Sequence, residues 1–137
     1  MTDITITIDD LESYRGLKAE LEALKQEHEE NYLSYSGINY EYTGEAKGNA
    51  VSNPTEKAAL RALRLEQWII ERTEECAERL DRIYAWLDTV QIAEIRAIVH
   101  HHYILGETWE ETCLHVYGYR SYQACRKRCL RFFGKEK

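Results

Sequence analysis

Proline is almost missing from this 137-residue chain: Pro54 is the only one, and glycines number seven. So few breakers exclude a loop-rich or turn-rich all-β design and favour helices. No apolar run approaches the roughly 18–20 residues that a membrane span needs. The start of the chain lacks the basic-then-apolar pattern of a secretory signal, so a cytoplasmic protein without membrane contact is expected. Its four cysteines, Cys76, Cys113, Cys125 and Cys129, are then expected to be reduced. There is no C-x-x-C pair, Gly-rich phosphate loop, nucleophile motif or paired-carboxylate signature, so neither an enzyme nor a cofactor is expected.

What is present is helical periodicity. The first eight residues alternate, with Ile4, Ile6 and Ile8, as a short strand or a frayed arm would. Asp9 or Asp10 can then cap a first helix reaching about Asn31, with Tyr14, Leu17, Leu21, Leu24 and His28 at alternating spacings of three and four. Residues 32–53, with Gly37, Gly44, Gly48 and the tyrosines 32, 35, 40 and 42, read as a long loop. Asn53-Pro54-Thr55-Glu56 opens a second helix: Asn53 as N-cap, Pro54 in the first turn, Glu56 reaching back. Ala58, Ala62, Leu65, Ile69, Cys76, Leu80, Ile83 and Leu87 mark its stripe, with Thr73 filling a gap, while Trp68 and Ile70 lie off it and suggest a second buried face. The expected fold is all-α. A coiled-coil-like hairpin and oligomerisation rod occupies residues 1–88, and a three-helix module occupies 89–137.

In that second part, Ile92, Ile95, Val99 and Tyr103 form one helix face, and Leu105-Gly106 ends the helix. Thr108-Trp109-Glu110-Glu111 is a capping box opening a short helix that buries Trp109, Cys113 and Val116. Gly118 lies in the next turn. Ser121 can cap a last helix whose apolar face is Tyr122, Cys125, Cys129, Leu130 and Phe133. From residue 118 onward seven Lys/Arg face one acid, a net of +6 in a chain of −6, which leaves −12 for the rest. A basic helix closing an acidic chain is the footprint of a phosphate-binding surface. The candidate DNA-contacting residues are Arg120, Ser121, Gln123, Arg126, Lys127, Arg128 and Arg131. Of these, Arg120, Gln123 and Lys127 are placed to meet base edges, and Arg126, Arg128 and Arg131 phosphates. His100-His101-His102, His115 and the cysteines raise zinc as a possibility. The cysteines sit on the apolar face, however, so thiol packing is the better reading and no metal site is expected.

The stretch from Ile95 through Tyr103-Ile104-Leu105-Gly106-Glu107-Thr108-Trp109-Glu110-Glu111, Gly118-Tyr119 and Arg126-Lys127-Arg128 to Phe133 resembles the C-terminal helix-turn-helix of bacterial sigma factors. It is more similar still to the RinA- and ArpU-type phage transcriptional regulators, where Y-x-x-G-x-[ST]-W-E-E precedes the recognition helix. Tyr35-Ser36-Gly37, Lys47-Gly48 and Val51-Ser52-Asn53-Pro54-Thr55-Glu56-Lys57-Ala58-Ala59 also resemble small prophage proteins of Gram-positive bacteria. The resemblance implies a sigma-like helix-turn-helix and a role in phage gene control, with double-stranded DNA as partner and a homodimer as assembly. Two other readings remain: a small terminase subunit, and a protein that contacts RNA polymerase or another protein without binding DNA.

Overall fold

A computed structural model describes residues 4–41 and 54–135, with side chains for 4–33 and 55–135. It is all-α: α1 (Ile8–Glu41), α2 (Pro54–Leu87), α3 (Ala93–Ile98), a π-helical continuation (Val99–Ile104), α4 (Trp109–Tyr117) and α5 (Gln123–Phe132). Ile4–Thr7 is not a strand but an extended arm whose Ile6, like Ile8 after it, is buried. Thr7, rather than Asp9 or Asp10, caps α1. Its Oγ1 accepts from the Asp10 amide at 3.1 Å, and the Asp10 carboxylate accepts from the Thr7 amide at 2.9 Å. The pair is a capping box in which Asp replaces the usual Glu.

α1 runs ten residues past the expected stop at Asn31. Only one glycine, Gly37, falls in that extension, and an isolated glycine costs a helix roughly 1 kcal/mol, too little to stop it. The remainder of the expected loop, with Tyr42 and the Asn53 cap, lies outside the described residues. α2 begins and ends where its sequence signals put it.

The chain divides into two compact units, Met1–Ala19 with Glu75–Lys137, and Glu20–Glu74. This grouping cuts both long helices instead of falling near residue 88. In the Glu20–Glu74 unit the two helices run antiparallel, because partners descend on α1 as they ascend on α2. Asn31 meets the Ala58 carbonyl and Arg61, His28 meets Glu66 at 2.9 Å, and Glu20 meets Arg72 at 3.2 Å. Leu21, Leu24 and Leu65 are buried between them. Leu60, Leu63, Trp68 and Ile70 are exposed, so the suspected second buried face is not buried by this chain.

The other unit carries the larger core. Leu11 and Tyr14 of α1, Ile83, Trp86 and Leu87 of α2, Ile95 and Ile98 of α3, and Val99 and Tyr103 of the π-helical turn are all buried. Cys113 of α4 and Cys125 and Cys129 of α5 complete it. Trp86 stacks on Phe133 at 5.7 Å and meets Phe132 edge-on at 6.5 Å, which ties the end of α2 to the end of α5. Ile92 was expected inward; it precedes α3 as the N-cap residue and is exposed, because the inward stripe starts only at Ile95.

α3 does not stop cleanly. Its last turn widens: the Leu105 amide reaches back to the His100 carbonyl at 2.8 Å, five residues away, and the Glu107 amide reaches His101 at 3.0 Å. Arg15 of α1 takes up the carbonyls of His102, Gly106 and Glu107 at 3.0, 3.2 and 3.1 Å, and Lys18 takes that of Ile104 at 2.5 Å. Gly106, at φ +82°, then turns the chain into α4.

Thr112 is fully buried in α4, and its hydroxyl finds no hydrogen-bond partner among the described residues. An orphan buried hydroxyl costs about 1–3 kcal/mol, which an isosteric apolar side chain avoids. Thr112→Val is therefore expected to raise stability by about 1 kcal/mol, read as a higher urea midpoint at unchanged m-value. A lower midpoint would mean that the hydroxyl has a partner.

Candidate nucleic-acid interface

α4 opens with the capping box that its sequence announces. Thr108 Oγ1 accepts from the Glu111 amide at 3.1 Å, and Glu111 accepts from the Thr108 amide at 2.9 Å. It closes at Gly118, whose φ of +90° is left-handed and whose amide bonds Leu114 at 2.9 Å. A side chain there would be strained, so glycine is what allows the chain to reverse. Five residues later α5 begins, with Ser121 Oγ accepting from the Ala124 amide at 3.1 Å as its capping group. α3, α4 and α5 pack on one another around Cys113, Cys125 and Cys129.

That packing decides which α5 side chains face outward. Gln123, Lys127 and Arg131 are exposed on the side of α5 opposite Cys125 and Cys129, and Arg120 is exposed in the turn before it. Arg126 is half-buried; its guanidinium lies 5.8 Å over the Tyr122 ring and donates to Gln123 Oε1 at 3.3 Å. Tyr122 was expected in the core. At 52 % exposure it stands outside, since it precedes the first core residue of α5 by a full turn. Arg128 is committed elsewhere. Its Nε donates to Glu94 of α3 at 2.9 Å, and Tyr117 of α4 donates its hydroxyl proton to the same carboxylate. Arg128 thus joins three helices instead of standing free for a phosphate. The Tyr117 hydrogen bond, then that of Arg128, hold the Glu94 carboxyl below its ordinary value against partial burial.

The three consecutive histidines diverge as expected. His100 is exposed, while His102 is buried and stacks on Trp109 at 3.6 Å. Its Nδ1 donates to the Glu107 carbonyl at 2.7 Å, which fixes the tautomer, since a carbonyl can only accept. Burial first, and the nearby Arg15 charge second, lower its pKa to about 4, so it is neutral at physiological pH. His101 behaves differently: with His115 of α4 it converges on one oxygen of Glu107, at 3.1 and 2.9 Å. Sequence reasoning considered these histidines beside the cysteines and overlooked Glu107. The residue types at 101, 107 and 115 straddle a helix end and a capping box, and this is the only sequence signal that links them.

The thiols of Cys113, Cys125 and Cys129 lie in the core and not at a metal-binding surface. Burial pushes Cys125 up to about 12 and Cys129 up to about 11. No family model matches the chain, and no curated protein and no solved structure matches it either.

The Glu94 cluster yields a stability test. Replacing Arg128 with Ala, or Glu94 with Gln, is expected to lower stability by about 1 kcal/mol, the scale of one half-exposed charged hydrogen bond. Because the folded carboxyl titrates below its ordinary value of 4.5, the wild-type advantage over Glu94→Gln is complete above that value. It is lost as pH falls through the lower folded value. The gap between the urea midpoints of the two proteins should be full at about pH 7 and narrow as the pH falls below the ordinary carboxyl value; a constant difference would contradict the assignment.

Proposed function

We propose that the chain is a sequence-specific DNA-binding regulator of phage or prophage type, in which α4, the Gly118 turn and α5 act as a helix-turn-helix and α5 enters the major groove. The observation that carries this is the outward face of α5. Gln123, Lys127 and Arg131 are all exposed on a helix whose inner face is consumed by the core, and Arg120 is exposed in the turn just before it. No acid accompanies them on α5, and an excess of +6 is concentrated from residue 118 onward in a chain of −6. Arg and Gln at the start of such a helix match the hydrogen-bonding edges of guanine and adenine, and Lys127 and Arg131 further along match phosphates. Arg126, held near Gln123 and Tyr122, orients the base-facing end. Ser121 serves as the cap, and Arg128 serves as a brace within the unit.

A single helix gives few contacts, and the acidic remainder opposes non-specific association with DNA. Pairing of two chains on two half-sites offsets both. The exposed Leu60, Leu63 and Ile70 of α2 support self-association, since a soluble monomer gains nothing from showing them. Among the described residues no helix is long and apolar enough to cross a membrane.

The test is fluorescence anisotropy against DNA from intergenic regions flanking the protein's own gene, at two salt concentrations. Arg120→Ala or Gln123→Ala should relax preference at one base position by about 1–3 kcal/mol. Arg131→Ala should weaken binding to all sequences alike and lower the salt slope by roughly one. Absence of wild-type binding at low salt would remove the DNA reading in favour of a protein-interaction role. For assembly, Leu63→Glu with Ile70→Glu should convert a sedimenting dimer to a folded monomer. A wild-type monomer at micromolar concentration would refute the dimer.

A further inference from the structure

From the convergence of His101, Glu107 and His115 we infer that this unit binds a divalent transition-metal ion of the zinc class between the end of α3 and α4. Two imidazole nitrogens and one carboxylate oxygen, the Nδ1 atoms of His101 and His115 and an oxygen of Glu107, lie within 4.8 Å of one another. Both Nδ1–Oε1 separations, 3.1 and 2.9 Å, are close to the edge of a tetrahedron with bonds of about 2.0–2.1 Å, which is about 3.3–3.4 Å. The third separation, between the two imidazole nitrogens, reaches up to 4.8 Å, so seating an ion draws the two rings together by about 1.4 Å about the shared carboxylate. The two imidazole rings stand nearly parallel, 4.8 Å apart, and present the same nitrogen to the same point.

The frame behind the ligands is built to hold them. The Glu107 carboxylate is the pivot, and its main chain is fixed on both sides. Its amide donates to the His101 carbonyl at 3.0 Å, and its carbonyl accepts from Arg15 at 3.1 Å and His102 at 2.7 Å. His101 is brought to this point by the π-helical turn, a winding found often at functional sites. His115 stands one helical turn after Glu111 on α4, whose start the Thr108–Glu111 capping box fixes. Such outer supports are what keep first ligands in place.

Two imidazoles and one carboxylate suit a borderline cation; calcium and magnesium prefer all-oxygen sites. Three protein ligands leave a fourth position for water, and the partial exposure of His115 gives the ion a way in. In the metal-free protein both rings donate Nδ1–H to the carboxylate. On binding, each imidazole turns its Nδ1 lone pair to the metal and carries its proton on Nε2.

The test uses the full chain, free of any affinity tag and stripped with chelator, titrated with zinc chloride in a calorimeter and followed by thermal unfolding. One equivalent of Zn²⁺ is expected to bind saturably. At a free concentration 100 times the dissociation constant, it should shift the unfolding equilibrium about 100-fold toward the folded state. His115→Ala, whose side chain is half-exposed and whose loss leaves the core untouched, should weaken uptake at least 10-fold and abolish the thermal shift; Glu107→Gln should do likewise. His100→Ala and His28→Ala, which remove histidines outside the site, should leave both unchanged. Absence of saturable uptake by the wild type overturns the inference. So does uptake that survives both His115→Ala and Glu107→Gln. Neither outcome bears on DNA binding, which is read separately.

Discussion

Backbone carbonyls have to be satisfied, and the end of α3 is where this unit comes closest to failing. The widened turn from Val99 to Ile104 and the reversal at Gly106 break the regular ladder. Arg15 closes the gap with three bonds from one guanidinium, and Lys18 with one more. An unmet buried carbonyl costs about 1–3 kcal/mol, and those of His102, Ile104 and Glu107 are part-buried, so the two cations remove a sizeable penalty here. This is why the first nineteen residues group with the C-terminal helices and not with the rest of α1. The same arginine adds to the burial that keeps His102 uncharged beneath Trp109. Arg15 thereby sets where α4 begins, and α4 sets where α5 lies.

Charge is sorted by the same geometry. Arg128 points inward to a carboxylate and a phenol, while Arg120, Lys127 and Arg131 point outward. On a helix with 3.6 residues per turn, neighbouring basic residues cannot share one fate. Of the basic run Arg126-Lys127-Arg128, the first is half-buried over an aromatic ring, the second is solvated and the third is a brace. Basic content in a sequence therefore overstates the number of cations that a helix can offer a partner.

How much of this was legible beforehand follows physical locality. The α2 limits, the α4 capping box and the Gly118 turn come from short-range rules, and the structure agrees with each. Of the two stripes, Tyr14, Leu21, Leu24, Leu65, Cys76, Ile83 and Leu87 are buried, as the period expects, while Thr73 in the α2 gap is exposed. The errors lie where distant residues decide. The strand-like arm is held by Ile6 and by Arg82, which reaches the Thr5 carbonyl at 3.5 Å. The π-helical turn depends on Arg15, eighty-seven residues before His102. The role of Arg128 depends on Glu94, thirty-four residues away. The His101–Glu107–His115 cluster was missed because its members sit on three different segments and follow no familiar spacing.

Cys113, Cys125 and Cys129 lie at the centre of the α3–α5 packing, and burial raises the last two far above the pH of any ordinary buffer. Only a thiolate attacks an alkylating reagent at a useful rate. While the helices are closed, Cys125 and Cys129 are chemically silent; once the helices part, both ionise normally and react. The protein therefore carries its own clock. The rate at which Cys125 and Cys129 are capped counts how often the three-helix unit opens, with no label or probe added to the chain.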